Sequence, residues 1–326
     1  MKCEIYENGR IEIKASEAFF ASEGYCLFHV KACGICGSDA PRVFSGASYY
    51  YPIVLGHEFS GYVAESTKSE LVGKRACVFP ILPCGECEFC KKQAWASCIR
   101  YDYYGSRRDG GMQSELLIKE DNLVFLPDSV SFEAGAMVEP SAVCLHAVKR
   151  AGVSDGSRVL IYGAGTIGLL CAMWARILGA EGVYLKDPDP TRCSFVEKIG
   201  FSVYGGESVD VIIEASGAQA ALSDAIENCQ PLGRVALVGH GKADVTLKHE
   251  TFVKVLRKQL TLVGSWNSDF NAAADDWEES VRAIAEGRLR VEELITHRFK
   301  LEEADRAFGV IRDRKENYNK IMVVMK

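Results

Sequence analysis

The segment "PCGECEFCKKQAWASC", residues 83–98, contains four cysteines with the spacing Cys-x2-Cys-x2-Cys-x7-Cys. Structural zinc ions take four ligands in a tetrahedron, and shells made only of cysteine thiolates are common. Iron–sulfur clusters also use four cysteines, and unbound surface thiols are a third possibility. A filled four-thiolate shell leaves no position for a substrate, so we expect a structural zinc site here. Its expected ligands are Cys84, Cys87, Cys90 and Cys98.

A second group of potential ligands mixes donor types. Cys36 in "CGICGSD" offers a thiolate, and His57 in "LGHEFSG" offers an imidazole. The neighbouring Glu58 and the later Glu139, in "VEPSAV", offer carboxylates. One thiolate, one imidazole and one carboxylate leave a tetrahedral zinc ion with an open position, as catalysis requires. Each residue alone has a structural explanation, such as a small core cysteine or a carboxylate at a helix start. Together they predict a catalytic zinc site.

A glycine-rich turn lies between the buried strand "RVLIY" and an apolar helix. Its glycines are Gly163, Gly165 and Gly168, and the helix opens with Thr166 and Ile167. Such glycines let the chain turn tightly and let the backbone approach a pyrophosphate at the helix N-terminus. The turn therefore predicts a dinucleotide site.

An acidic residue, Asp187, ends the next predicted strand, nineteen residues after Gly168. Its carboxylate can accept hydrogen bonds from both ribose hydroxyls and would repel a 2'-phosphate, so NAD is favoured over NADP. Lys186 and Arg192 lie close enough in sequence to keep NADP as a less favoured alternative. We count Arg192 among the expected cofactor-binding residues.

The order of predicted elements separates two regions. Up to about residue 143, short apolar runs broken by Gly and Pro are typical of a strand-rich domain. From "RVLIY" to "LTLVGSW", strands alternate with helices, which predicts a parallel sheet with helices on its faces. The tail after about residue 268 contains a polar helix and the final strand "KIMVVM", and we expect it to return to the first domain.

Composition narrows the class of partner. The chain has 326 residues, and its formal net charge of -6 argues against nucleic-acid binding, for which a basic face is expected. No apolar run has the length of a transmembrane span. Thirteen cysteines without a secretory signal favour a reducing compartment. We therefore expect a cytoplasmic protein that acts on a small molecule, without a nucleic-acid or membrane partner.

The order of these motifs resembles the zinc-dependent medium-chain dehydrogenases over nearly the whole chain. The motifs are "CGSD", "GHE", the four-cysteine segment, "EP" and the glycine turn. The segments "GASYYYPIVLGHEFSG", "YDYYGSRRDGG" and "FVKVLRKQLTLVGSW" are similar to the polyol branch of that family. The resemblance implies an α/β protein with a GroES-like, β-rich catalytic domain at residues 1–143 and 269–326. It also implies a doubly wound Rossmann domain at residues 144–268, and a homodimer or homotetramer.

The resemblance also implies roles for the residues of the second zinc site. Cys36 and His57 match zinc ligands, and we favour Glu139 as the third ligand, with Glu58 as an exchanging or acid–base partner. Ser38 matches a hydroxyl that starts a proton relay, and Asp39 matches a carboxylate that orients the zinc-bound imidazole. A histidine that often ends the relay is replaced by "APRVF", so the proton exit stays open.

The expected function is hydride transfer between NAD and the hydroxyl carbon of a polyol or polyol phosphate, with one catalytic and one structural zinc ion per chain. Sorbitol/xylitol-type and threonine-type zinc dehydrogenases are the runner-up interpretations. A non-catalytic NAD-binding zinc protein is the alternative from another class. Arginine side chains suit a substrate phosphate, and tyrosines can line a polyol pocket. The expected substrate residues are Arg42, Tyr50, Arg107 and Arg108.

One segment departs from the family pattern. Only "GGES" separates "FSVY" from the strand "VDVIIEASG", where a helix is expected between the third and fourth Rossmann strands. Four extended residues reach at most about 14 Å, and parallel crossovers generally need a dozen residues. We therefore expect an abbreviated sheet that lacks the normal crossover, with residues 201–204 as a linker or a displaced edge.

Overall fold

The computed structural model describes residues 1–241, 244–271 and 275–326. The chain forms two compact units, one of Met1–Glu139 with Asp269–Lys326 and one of Pro140–Ser268. Among the described helices, none is both long enough and apolar enough to cross a lipid bilayer.

The N-terminal part of the first unit is rich in short strands. They are β1 (Lys2–Ile5), β2 (Ile11–Lys14), β3 (Tyr25–Ile35), β4 (Ile53–Val54), β5 (Glu58–Glu65), β6 (Arg75–Val78), β7 (Ile81–Leu82), β8 (Asp102–Tyr103), β9 (Glu115–Lys119) and β10 (Leu123–Phe125). Three short helices interrupt them: α1 (Asp39–Phe44), α2 (Glu88–Lys91) and α3 (Phe132–Ala136).

The second unit alternates strands and helices, as its sequence predicts. The helices are α4 (Val138–Ala151), which begins in the first unit, α5 (Thr166–Ile177), α6 (Pro190–Lys198), α7 (Gln219–Asn228) and α8 (His249–Arg257). The strands are β11 (Arg158–Tyr162), β12 (Gly182–Lys186), β13 (Ser202–Val203), β14 (Val209–Glu214), β15 (Cys229–Leu237) and β16 (Thr261–Gly264).

The C-terminal part adds α9 (Asp276–Ala285), β17 (Ile295–Lys300), α10 (Ala304–Asp313) and β18 (Lys320–Val324). Strand β18 pairs antiparallel with β3, so the last strand completes the sheet of the first unit. That sheet has the order β10-β6-β5-β3-β18-β17, with β9 also paired to β3. Because β3 is central, its run "YCLFHVKACGI" is buried at most positions. The catalytic candidates extend from the ends of β3, β5 and β18.

The sheet of the second unit is parallel throughout and has the order β13-β12-β11-β14-β15-β16. The central strand β11 reads "RVLIY" and is almost continuously buried, because helices cover both faces of such a sheet. Asp189 caps α6 by accepting a hydrogen bond from the backbone N–H of Thr191, and Pro190 occupies the first helical position. The sheet matches the predicted doubly wound architecture.

The expectation that residues 201–204 form a linker or a displaced edge is wrong in part. Strand β13 has only two residues, yet it pairs with β12 at the usual edge position. The crossover helix is missing as predicted, since residues 204–208 lead directly into β14. A two-residue strand has a shorter return path than a full strand, on which the expected limit of chain length was based. Six Cα steps from Val203 to Val209 reach up to about 21 Å, enough for three strand spacings and a short return.

Candidate active site

Cys36 and the start of helix α1 form one wall of the predicted catalytic site. Cys36 follows β3, and its backbone N–H donates to Oδ2 of Asp39 at 3.1 Å. This bond closes the turn that leads into α1, and Asp39 is fully buried. Ser38 is exposed at the N-terminus of the helix, so its hydroxyl can meet water or a substrate.

His57 and Glu58 reach the same place from the start of β5. They follow Gly56, whose φ of +99° is a conformation that glycine adopts readily. Both side chains are buried. The ligand atoms of Cys36, His57 and Glu58 all lie within 4.8 Å of one another. The structure therefore brings together one sulfur, one imidazole and one carboxylate.

Lys320, the first residue of β18, enters this group and was not anticipated from the sequence. Its ammonium group donates to Oε2 of Glu58 and, at 3.2 Å, to the carbonyl oxygen of Ile35. The side chains of Lys320 and Glu58 are 4% and 1% exposed. Such a buried cation requires a partner, and Glu58 provides it. One carboxylate oxygen of Glu58 is therefore held by a fixed positive charge.

Glu139, the favoured third ligand from the sequence, lies outside the group of three but beside it. Its Oε1 accepts a hydrogen bond from the hydroxyl of Tyr103 at 3.4 Å. The ring of Tyr103 packs edge-on against that of His57, with centroids 5.7 Å apart. Burial, reinforced by Glu139, raises the pKa of Tyr103 well above its usual range, so its hydroxyl remains a donor.

Acidic groups outnumber basic groups in this pocket. The acids are Cys36, Asp39, Glu58 and Glu139, and the bases are Lys320, Arg42 and His57. Burial, together with Glu58 and Asp39, raises the pKa of the Cys36 thiol to about 11. Burial, together with Glu58 and Cys36 and against His57 and Lys320, raises the pKa of Glu139 to about 8. Full ionisation of this pocket therefore requires additional positive charge.

A divalent cation fits these donors. A metal-bound imidazole is neutral, so with all four acids ionised two positive charges balance the excess of two negative ones. Nδ1 of His57 is buried and has no hydrogen-bond partner among the described residues, and it lies 3.7 Å from Oδ1 of Asp39. Sulfur, imidazole nitrogen and carboxylate oxygen are the donors that zinc takes in catalytic sites. Zinc is therefore the metal that the residues fit best.

The four-cysteine segment has the geometry of a closed metal shell. The Sγ atoms of Cys87 and Cys90 are 3.5 Å apart, those of Cys84 and Cys90 are 3.8 Å apart, and those of Cys87 and Cys98 are 3.9 Å apart. For metal–sulfur bonds of about 2.3 Å, the edge of a tetrahedron is about 3.8 Å. The backbone N–H of Cys90 bonds to Sγ of Cys87 and lowers the pKa of that thiol to about 6. These sulfurs fit one enclosed zinc ion.

The glycine turn of the second unit has the form expected for a dinucleotide site. Gly163 has a φ of +95°, and Gly165 caps α5, which begins with Thr166 and Ile167. A Cβ on Gly168 would lie 1.9 Å from the carbonyl oxygen of Gly163, so only glycine allows the helix to approach the turn. The first backbone N–H groups of α5 face the end of β11, where a pyrophosphate can bind.

Asp187 ends β12 beside this turn. Its Oδ2 accepts from the backbone N–H of Ala164 at 2.8 Å, and its Oδ1 accepts from that of Asp189 at 2.9 Å. Arg192 lies 3.7 Å from Oδ2, so it is paired with the acid instead of being free. Lys186 is also occupied, because it pairs with Asp224 at 2.5 Å. Asp187 is thus held in place, and the two nearby cations, Arg192 and Lys186, are both paired with carboxylates.

The four expected substrate residues differ in their surroundings. Arg42 donates to the carbonyl oxygen and, at 3.3 Å, to the hydroxyl oxygen of Ser38. Arg108 pairs with Asp102 at 2.6 Å. The hydroxyl of Tyr50 donates to Asp109 at 3.1 Å. Arg42 also pairs with Asp39 at 3.4 Å and therefore lies beside the zinc donors, whereas within the described residues neither Arg108 nor Tyr50 bonds to Cys36, His57 or Glu58.

Arg107 has a different environment. Its guanidinium lies 4.1 Å from the ring centroid of Tyr101 and 4.8 Å from that of Tyr49. It donates to the carbonyl oxygen of Tyr101 at 2.8 Å and to the hydroxyl of Tyr49 at 3.2 Å. Across the described part of the chain, no carboxylate pairs with it. Arg107 is therefore an uncompensated cation held between two rings.

Two residues of the site were not predicted from the sequence. Lys320 is the first residue of "KIMVVM", and a lysine in an otherwise apolar strand is a signal that could have drawn attention to it. Tyr103 lies in "YDYYGSRRDGG", but nothing in the sequence indicates which of its tyrosines faces His57. Both contacts join residues far apart in the chain, so local spacing could not reveal them.

Comparisons with known families agree with this geometry. Residues 22–128 match the family model described as the alcohol dehydrogenase GroES-like domain, and residues 132–322 match the glucose dehydrogenase C-terminus. The chain belongs to the zinc-dependent medium-chain alcohol dehydrogenase family. The predicted combination of a GroES-like domain with a Rossmann domain is thereby confirmed.

Individual relatives narrow the class further. Galactitol 1-phosphate 5-dehydrogenase of Escherichia coli (strain K12) is 37% identical over 289 residues, covering 82% of this chain and 84% of the relative. Sorbitol dehydrogenase 2 of Saccharomyces cerevisiae is 32% identical over 314 residues, covering 87% of this chain and 86% of the relative. The crystal structure of galactitol-1-phosphate dehydrogenase from Escherichia coli has a TM-score of 0.93 at 31% identity and covers 99% of both chains. These likenesses confirm the predicted polyol branch and favour an enzyme over a non-catalytic NAD-binding protein.

Proposed function

We propose that this protein transfers hydride between NAD and the hydroxyl carbon of a polyol or polyol phosphate. The observation that supports this most directly is the buried group of Cys36, His57 and Glu58, whose donor atoms approach within 4.8 Å. We infer two zinc ions per chain, one at this group and one in the four-cysteine segment. In the arrangement described above, Glu58 is the carboxylate ligand of the catalytic zinc ion. Glu139 is the neighbouring carboxylate that can replace it as a ligand.

The side chains around the donors have distinct tasks in this proposal. A zinc ion bound here would lower the pKa of a substrate hydroxyl. Ser38, exposed beside Cys36, accepts the released proton at its hydroxyl oxygen and passes its own hydroxyl proton to water, while the guanidinium of Arg42 donates to that oxygen and positions it. Lys320 fixes Glu58, so the carboxylate does not need to reorganise during the reaction. This arrangement provides a proton path that needs no histidine after "CGSD".

NAD is the cofactor that the anchored acid supports. Backbone N–H groups bond to both carboxylate oxygens of Asp187 and hold the side chain in one orientation. A 2'-phosphate bound here would therefore be repelled by the carboxylate. Arg192 pairs with this acid and is not free to compensate for the phosphate. A solved relative at 26% identity is described as bound to NADP, which makes the cofactor choice worth testing in this chain.

Arg107 is our candidate for recognition of a substrate phosphate. Its guanidinium lacks a carboxylate partner among the described residues, and its aromatic neighbours restrict its motion. Arginine binds phosphate through charge-assisted, often bidentate hydrogen bonds. Arg108 is already neutralised by Asp102, so we assign it no direct contact. Of the two adjacent arginines, we thus assign Arg107 to phosphate binding and Arg108 to a structural ion pair.

The test is NADH formation measured at 340 nm with free polyols and with their phosphate esters. We expect Arg107→Met to raise KM for the phosphate ester by at least tenfold, with little change for the free polyol. Arg306→Met is the matched control, because Arg306 is an exposed arginine of the same unit that pairs with Glu303. If Arg107→Met changed both substrates equally, phosphate recognition by Arg107 would be excluded. No turnover of any polyol by the zinc-loaded protein would reject the proposed function itself.

We infer a homodimer that forms through the edge of the parallel sheet. Within the described chain, β16 pairs with β15 on one side only. Large apolar side chains are exposed near this edge, with Leu256 at 60%, Trp266 at 59% and Leu262 at 38%. Unpaired edges beside apolar surface favour pairing with another chain. Light scattering should give twice the mass of one chain, and Leu262→Lys should lower it; a monomeric wild-type protein would contradict this inference.

A further inference from the structure

Tyr103 connects the four-cysteine segment to the catalytic donors. The segment projects from a two-stranded sheet in which Ile81 pairs with Tyr103 and Leu82 pairs with Asp102. The hydroxyl of Tyr103 donates to Oε1 of Glu139. A single side chain therefore extends from the base of one metal site to a carboxylate of the other.

The backbone of Tyr103 is fixed on both sides. Its N–H donates to Oδ1 of Asp102 at 2.8 Å, and its carbonyl oxygen accepts from the N–H of Arg107 at 3.0 Å. The ring is confined between those of His57 and Tyr101, at centroid distances of 5.7 and 6.2 Å. Tyr103 is only 9% exposed. The hydroxyl therefore reaches Glu139 from a rigid support.

The two glutamates of the pocket have separate partners. Glu58 is held by the ammonium group of Lys320, whereas Glu139 is held by the neutral hydroxyl of Tyr103. Groups that hydrogen-bond to metal ligands set the orientation of those ligands, and their loss typically weakens metal binding by roughly 10- to 100-fold. A neutral hydroxyl restrains a carboxylate less than a cation does. Glu139 is therefore restrained but still able to move.

We propose that Tyr103 is a positioning residue that holds the carboxyl group of Glu139 beside Cys36, His57 and Glu58 and thereby slows loss of the catalytic metal. This proposal rests on the catalytic site proposed above. Because Tyr103 is part of the sheet at the base of the cysteine segment, folding of that segment also determines where Glu139 is held.

The test compares Tyr103→Phe with Tyr101→Phe in the full-length, zinc-loaded protein. Tyr103→Phe keeps the ring between His57 and Tyr101 and removes only the hydroxyl. The hydroxyl of Tyr101 makes no hydrogen bond to any part of the chain that the structure describes, so its loss is the matched control. Zinc release to a chromogenic chelator is followed over time, and Cys36→Ser identifies the kinetic phase of the catalytic site. We expect about tenfold faster release for Tyr103→Phe and the wild-type rate for Tyr101→Phe.

A second measurement separates positioning from packing. With Co²⁺ at the catalytic site, the visible absorption spectrum reports the coordination geometry, so Tyr103→Phe should shift it and Tyr101→Phe should not. If Tyr103→Phe lowered the urea midpoint but left release rate and spectrum unchanged, Tyr103 would serve only packing and the proposal would be wrong. A protein that bound one zinc ion in all variants would instead reject the catalytic metal site on which the proposal rests.

Discussion

Replacement of Lys320 by Met removes the buried cation that faces Glu58. The Lys320 and Glu58 side chains are 4% and 1% exposed, so water cannot take over the role of the ammonium group. Removing one partner of a buried ion pair typically costs about 3–5 kcal/mol, because the remaining charge is left uncompensated. The carbonyl oxygen of Ile35 also loses its donor. We therefore expect the free energy of unfolding of the metal-free protein to fall by at least about 3 kcal/mol.

The assay is urea unfolding followed by tryptophan fluorescence, to which Trp95 and Trp277, two of the four tryptophans, contribute from the same unit as Lys320. Bound zinc should reduce the loss, since a divalent cation compensates the same carboxylates. Lys320→Arg retains the charge and should retain most of the stability. The double variant Glu58→Gln with Lys320→Met should recover at least half of the loss, because it removes both charges together.

Two outcomes would show that the Lys320–Glu58 ion pair does not set the stability of this pocket. One is a change of less than about 0.5 kcal/mol for Lys320→Met, the range usual for surface substitutions. The other is a double variant as unstable as Lys320→Met alone, which would mean that packing and not charge sets the loss.

Three further predictions concern the other sites. Cys87→Ser should lower the zinc content from two ions to one and reduce stability before it reduces turnover, whereas Cys36→Ser should abolish turnover and leave one ion; metal analysis of both variants checks this. Asp187→Ala should raise KM for NAD and lower the ratio of kcat/KM for NAD to that for NADP, as measured by initial rates with each cofactor. Burial acts to raise the pKa of Glu4, but hydrogen bonds, foremost from Lys14, outweigh it and hold the pKa at about 2. The folded pKa is thus below the unfolded one, so its stabilisation is complete above about pH 4.5 and is lost towards pH 2. Glu4→Gln should flatten the dependence of the unfolding free energy on pH in this window.

The four-cysteine segment and the glycine turn could be recognised in the sequence because their chemistry is carried by residue types at short spacings. The four cysteines occupy a 15-residue segment, Cys84–Cys98, and the three glycines occupy the turn between β11 and α5. Alternation of apolar strands and helices indicated a parallel sheet for the same reason, since helical and strand periods are local properties.

What sequence reasoning missed depends on contacts between distant residues. Lys320 meets Glu58 across 262 positions, and Tyr103 meets Glu139 across 36, so neither pairing follows from spacing. The two-residue strand β13 was missed because chain length limits a path but does not determine strand length. The different roles of Arg107 and Arg108 likewise depend on which neighbours the loop places beside each guanidinium.

Measuring NADH formation and zinc content on the same samples of the wild-type protein and of Cys36→Ser tests whether Cys36 belongs to the catalytic metal site. We predict NADH formation by the wild type with two zinc ions per chain, and no NADH formation by a folded Cys36→Ser protein that keeps one. Wild-type turnover in a Cys36→Ser protein would contradict the assignment of the catalytic site to Cys36, His57 and Glu58.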